Sequence, residues 1–338
     1  FACAAEYADG TFKTASMDIL FIGTNTSGYG TENGVRYLTL KRGYNGIVQG
    51  GEMKVALLNL GQSAGWSIGG GYVSNNNAAD LGDFYQWGRV ADGHQNIVWS
   101  KDASHKNQIL PFGTTPDNTS AVIDYNNGGS IPAYDANHQV ANSDDHYGKF
   151  ITSAGAGASY GDNDWYYDGD HDDGLWGIAT GNSRNDQGSL GFVWKYPENN
   201  PCPSGWRIPS KWNWWDISNG NGSDDFTNQV PILDNVNANN YWQIRDMSSN
   251  GTAYGGAIAT NSDNEKIFLP IIGTRNTNGD LYLGKGSLAF YMSSTYGDND
   301  NDSFSLHIYN SLGSVDIFLL SSVRAAGLCA RCVAEPEN

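Results

Sequence analysis

The residues with the clearest chemical potential are four cysteines, one serine and one acidic stretch. Cys329 and Cys332 form a C-x-x-C, half of a zinc site, but no second C-x-x-C or His pair supplies the remaining ligands. GQSAG at residues 61–65 matches the G-x-S-x-G of a nucleophile elbow, which needs a strand before the serine and a helix after it. WSIGGG follows, and so glycine-rich a run cannot be that helix. The stretch GDNDWYYDGDHDD at 161–173 gathers the oxygen ligands that hard cations use. Asp168, Asp170 and Asp172 are spaced like the start of an EF-hand loop, yet Gly174 comes one place late and no Glu closes it. A structural calcium or sodium ion stays open, no other cofactor is expected, and the chain reads as non-enzymatic.

The elements that would position these groups are mostly strands. With 43 glycines, 11 tryptophans and 19 tyrosines but only 16% charged residues, the 338-residue chain favours short strands and turns over long surface helices. DILFIG, VRYLTL, GIVQG and EMKVALLNL open it; EKIFLPIIGT, DLYLG, SLAFYMSS, SFSLHIY, SVDIF and AGLCARCV close it. Between them, residues 69–190 are rich in Gly, Asn, Asp and Ser, and Trp87, Trp99, Trp165, Tyr166 and Trp176 are the natural anchors of such long loops into a core. The best helix spans 209–219: Ser210 can cap it, Trp212, Trp215 and Ile217 form its apolar face, and Gly220 ends it.

A formal charge of −17 with no basic cluster argues against nucleic acid as a partner. No apolar stretch approaches the length of a bilayer span, so membrane insertion is not expected, and residues 1–10 show no export signal.

Three blocks carry a resemblance: DLGDFYQWGR at 80–89, NPCPSGWRIPSKWNWW at 200–215, and YMSST…GLCARCV from 291 to 333. Together they resemble the FISUMP-type branch of the C-type lectin fold, in which CPSGWR-x-P precedes a helix and RCV ends the domain. The resemblance implies an α+β C-type lectin fold with long Gly/Asn/Asp-rich loop insertions and few short helices. It covers residues 35–333, with 1–34 a β-rich lead-in to the same domain and 334–338 a tail. It places Cys202 and Cys332 together as a pair or a disulfide, in a structural role. Trp206, Arg207 and Pro209 read as a packing corner at the helix entrance.

Some members of this fold family are diversified by retroelements, which mutate adenines in AAY codons of one C-terminal segment and so never produce Glu, Lys, Gln, Met or Trp. The 48 residues 286–333 contain no Glu, Lys, Gln or Trp, whereas those types occur 35 times in residues 1–285, a frequency that would give about six. Met292 departs from the pattern and reads as framework. Alternation places Phe304, Leu306, Ile308, Val315 and Ile317 on a buried face and Ser305, His307, Tyr309, Ser314, Asp316, Phe318 and Leu320 on the other. With Tyr296, Asp298, Asp300 and Leu328, that second face is the expected ligand surface, apolar anchors rimmed by polar groups.

The expected function is therefore a retroelement-diversified variable protein displayed on a phage virion or a bacterial cell surface, binding a protein or glycan ligand on a cell surface. Alternatives are an undiversified surface adhesin and an enzyme of the formylglycine-generating kind, which shares the fold and relies on a cysteine pair. The sugar-binding EPN, QPD and WND signatures of calcium-dependent lectins are absent from a lectin-like context, and the lone EPE near Glu335 lies beyond the domain.

Overall fold

Period-2 runs of β-branched and aromatic residues bounded by Gly and Asn turns become strands, and they assemble into two five-stranded sheets that share a core. The computed structural model describes residues 2–6, 12–16, 28–42, 51–62, 82–97, 99–100, 110–111, 122–123, 132–152, 164–166, 199–211, 213–214, 241–245, 256–260, 266–282, 288–297, 302–311 and 314–334.

The first sheet has the order Trp206–Arg207, Arg331–Ala334, Gly51–Asn59, Val35–Arg42, Tyr29–Glu32. Its outer hairpin turns through Asn33 and Gly34, both at positive φ (49° and 79°), the conformation a two-residue turn between strands demands. The lead-in expected at 1–34 thus ends inside a hairpin, and Tyr29–Glu32 belongs to the sheet. The second sheet has the order Ser314–Val323, Asp302–Ser311, Leu288–Tyr296, Leu328–Cys329, Phe84–Tyr85. Its first three members form an antiparallel meander, and Leu328–Cys329 lies parallel to Leu288–Tyr296.

The two sheets bury their apolar faces against each other. Leu38, Leu40, Val55 and Leu57 of the first meet Ala289, Tyr291, Leu306, Ile308 and Ile317 of the second in one cluster. Loops form a second layer over part of the other face of the second sheet: Tyr85, Trp87, Val140, Ile151, Trp165 and Tyr166 pack with Met292 and Leu328. Trp87 donates its indole N–H to the Ser293 carbonyl at 2.8 Å and Trp165 to the Trp87 carbonyl at 2.7 Å, so these two tryptophans do pin the long loops. Trp99 is described only as strand backbone, and Trp176 lies outside the described residues.

The α+β class is overturned. Every regular element among the described residues is a strand, and of the helix expected over 209–219 a single capped turn is described. Ser210 caps it as expected: its Oγ accepts from the Asn213 N–H at 3.2 Å, Asn213 Oδ1 accepts from the Ser210 N–H at 2.9 Å, and the Trp214 N–H reaches the Ser210 carbonyl at 3.1 Å. Trp214, which the helical spacing had not chosen, is buried and its indole donates to the Met292 carbonyl at 3.0 Å, while Trp212, Trp215 and Ile217 lie outside the described residues. The turn is held by sheet contacts at its start, because Ser294 N–H donates to the Pro209 carbonyl and Lys211 N–H to Thr295 Oγ1, and residues 215–219 of the expected helix, with Gly220, lie outside the described residues. Aromatic-rich, charge-poor composition favours the strands that dominate instead.

Candidate functional site

The C-terminal meander sets the geometry of the candidate surface through its register. Asp302–Ser311 is the middle strand, pairing Leu288, Phe290 and Met292 on one side with Tyr309, His307 and Ser305, and Asp316, Phe318 and Leu320 on the other side with the same three. Cross-strand partners share a face, so these nine positions form one continuous patch. Leu306, Ile308 and Ile317, at the intervening positions, are 0% exposed, and Phe304 is buried.

At the centre of the patch is a row of rings. Phe290 stacks on His307 with centroids 4.0 Å apart and planes at 26°, Tyr309 lies 6.1 Å from Phe290 and 6.0 Å from His307, and Phe318 meets Tyr309 edge-on at 6.0 Å. Phe290, Tyr309, Phe318 and Leu320 are half-buried, leaving part of each open. Beside the row, His307 Nε2 lies 2.7 Å from Ser305 Oγ and 2.9 Å from Ser322 Oγ, while its Nδ1 lies 3.2 Å from the Tyr309 hydroxyl. Burial lowers the His307 pKa from the ordinary 6.5 to about 3, so the ring is neutral and acts as a hydrogen-bonding spacer.

Four residues expected on the open surface lie inside. Ser305 and His307 point to the expected face but are covered there by Phe290 and the Ser322 hydroxyl. Tyr296 follows a register shift between Met292 and Tyr296, next to the stretch that 209–214 covers. Leu328 is buried because its short strand runs between Leu288–Tyr296 and Phe84–Tyr85, under the tryptophan-pinned loops. These four corrections share one reason: strand alternation names a face, and only distant chain segments decide whether that face is covered. Ser314 and Asp316 occupy register positions opposite Ser311 and Tyr309. Asp298 and Asp300 lie outside the described residues.

Phe290 was missed. Alternation within SLAFYMSS puts it with Leu288 and Met292, but only the hairpin register sets it against His307.

The structural residues gather where Trp206–Arg207 pairs with Arg331–Ala334. Cys202 and Cys332 form a disulfide, Cα atoms 6.0 Å apart across 130 residues of sequence. Trp206 is fully buried and donates its indole N–H to the Glu32 carbonyl at 3.3 Å; Arg207 donates to Asn213 Oδ1 at 2.7 Å, and Pro209 accepts from Ser294. Cys329 is a free, fully buried thiol whose pKa burial pushes well above the ordinary range.

No group of three or more metal-ligating side chains occurs among the described residues. Of the acidic stretch only 164–166 is described, and there Asp164 is buried with one carboxylate oxygen 3.3 Å from the Arg324 guanidinium. The serine of GQSAG lies outside the described residues. His94 holds a hydrogen bond from its Nδ1 to Asp92 at 2.6 Å, but its Nε2 accepts from the Gln86 backbone N–H and the ring is fully buried, so it cannot reach a substrate. Comparison with protein-family models, with curated proteins and with solved structures finds no match to this chain.

Proposed function

We propose that this chain is a non-enzymatic receptor-binding protein whose ligand surface is the half-open face of its C-terminal meander, displayed on a phage virion or a bacterial surface. The observation that carries the reading is the ring row Phe290–His307–Tyr309–Phe318. All four of its members belong to the segment from which Glu, Lys, Gln and Trp are missing, and partly open aromatics on a sheet are typical interface anchors. The resemblance of CPSGWR-x-P and RCV to the lectin-fold variable proteins, and the absence of four of the five residue types that adenine mutagenesis cannot produce, support retroelement diversification.

One observation favours the second reading, an undiversified adhesin. Ser305, His307 and Ser322 are tied together by hydrogen bonds, and such an interlocked set tolerates free variation poorly. The enzyme of formylglycine-generating kind draws no support from the cysteines, since Cys332 is spent on the disulfide with Cys202 and Cys329 is sealed in the core as a thiol.

The test is direct. Purified chain is screened against extracts of bacterial surfaces, and any ligand found is measured against Tyr309→Ser/Phe318→Ser, which should lose binding while keeping the fold. Full binding by that variant would remove the face from consideration. At the coding level, an adjacent reverse transcriptase with a near-copy of the segment differing only at adenines separates the first reading from the second.

A further inference from the structure

The proposed surface has an electrostatic character that narrows its partner. Residues 286–333 contain two arginines and no lysine, and both arginines are fully buried. Arg324 donates to the Asp302 carbonyl at 3.1 Å, lies 3.3 Å from the Asp164 carboxylate and sits over the Trp87 ring at 4.5 Å. Arg331 donates to the Ala56 and Phe268 carbonyls at 3.0 and 2.9 Å. His307, the remaining basic group of the segment, is buried under Phe290. The same segment carries Asp298, Asp300, Asp302 and Asp316, within a chain of formal charge −17.

Among its described residues, then, the segment offers the face no cation. A phosphate, sulfate or carboxylate arriving there meets no counter-charge from the described residues of this segment and faces the net negative charge of the chain. A neutral sugar gains nothing from the charge. A cationic side chain gains twice: from the acidic field that steers it in, and from the open parts of the Tyr309 and Phe318 rings, whose faces attract ammonium and guanidinium groups.

From this charge distribution, and resting on the binding-surface reading above, we infer that the partner of this face is a protein surface that presents Lys or Arg side chains to Tyr309 and Phe318.

The experiment is a selection of random peptides displayed on beads with the folded full chain, followed by binding measurements on Tyr309→Leu/Phe318→Leu, which keeps apolar bulk and removes both rings. The expected result has three parts: recovered peptides enriched in Lys and Arg, binding at least about tenfold weaker to the double variant, and further weakening as NaCl rises from about 50 to 500 mM, where screening shortens the reach of surface charge. Recovery of neutral or acidic peptides that still depend on the two rings overturns the basic partner and leaves the binding face standing. Recovery of no peptide, or of peptides that bind chain and variant alike, overturns the inference; alike binding of immobilised neutral glycans or peptides to both proteins sinks the face reading with it. If the double variant lacks the near-UV circular dichroism of the parent, Phe318→Leu alone carries the same comparison.

Discussion

At the scale of single residues, the two faces of Asp302–Ser311 should respond to substitution in opposite ways. Leu306 and Ile308 are sealed between the two sheets, so replacing either with Ala removes buried methyl groups and leaves a cavity, at a cost of about 2–5 kcal/mol in denaturant unfolding. Tyr309 and Phe318 are half-buried and bordered by each other, and Ser at either should cost about 1 kcal/mol. Equal losses from both sets would mean that the second face is as enclosed as the first. His307 adds a pH signature. Its folded pKa is depressed to about 3 from 6.5 by burial, so the unfolded chain takes up a proton near pH 6.5 that the folded chain refuses until far lower. The stability held by the neutral ring is complete above pH 6.5 and is lost as pH falls toward 3. His94 acts in the same direction, through burial and the neighbouring Arg89 charge, against the pull of Asp92. The melting temperature should therefore fall between pH 6.5 and 4, and His307→Gln, which cannot titrate, should fall less steeply; parallel curves for the two proteins would assign the slope to other groups.

At the scale of elements, the segment CPSGWRIP and the terminal strand behave as one clasp. Gly205, at φ +80°, brings its backbone so close to Asn33 that an added Cβ would meet the amide nitrogen at 2.7 Å, and Asn33 Nδ2 in turn donates to the Ser204 carbonyl at 3.3 Å. The Cys202–Cys332 bond locks the same segment to Arg331–Ala334. Cys202→Ala should lower stability by about 2–5 kcal/mol, as loss of a native bridge over a long loop does, and the unreduced denatured protein should titrate two thiols fewer than the reduced one. Equal thiol counts would rule the bridge out. These elements also mark how far the sequence could be read. Which residues share a strand face was legible, because a period of two leaves only two choices: the cross-strand register joins Ser305, His307 and Tyr309 with Phe318 and Leu320. The cap at Ser210 was legible from a short-range pattern. The cysteine pairing came from the resemblance and could not be derived from spacing. What could not be read was anything contributed by other segments: the cover over Tyr296 and Leu328, and the Phe290 ring on His307. Those depend on contacts such as Trp87 to Ser293, 206 residues apart, which leave no local trace.

At the scale of the whole molecule, the last strands decide whether two sheets make one folding unit. Leu328–Cys329 pairs inside the second sheet with Phe84–Tyr85, and after Ala330 the chain enters the first sheet, where Arg331–Ala334 lies between Trp206–Arg207 and Gly51–Asn59. Both sheets therefore need the same few residues, whose partners include Phe84–Tyr85 and Gly51–Asn59, far earlier in the chain. Arg331 strengthens the junction: it is fully buried, its guanidinium donates to carbonyls of Ala56 in the first sheet and Phe268 in the Lys266–Pro270 strand, and it hydrogen-bonds the Tyr291 side chain of the second sheet. Removing this buried cation costs several kcal/mol, because it leaves the two carbonyls that its terminal nitrogens serve without a donor in the core. Such shared closure predicts a single cooperative transition. Near-UV circular dichroism, which follows the buried tryptophans of the loop layer, and far-UV circular dichroism, which follows the strands, should give coincident melting curves. Arg331→Met should lower the midpoint of both together by several degrees while leaving them coincident, since it weakens the junction on which both sheets depend. Two separated transitions in the parent protein, or a shift of one signal alone in Arg331→Met, would show that the sheets fold independently and that the terminal strand is an attachment instead of the closure of the fold.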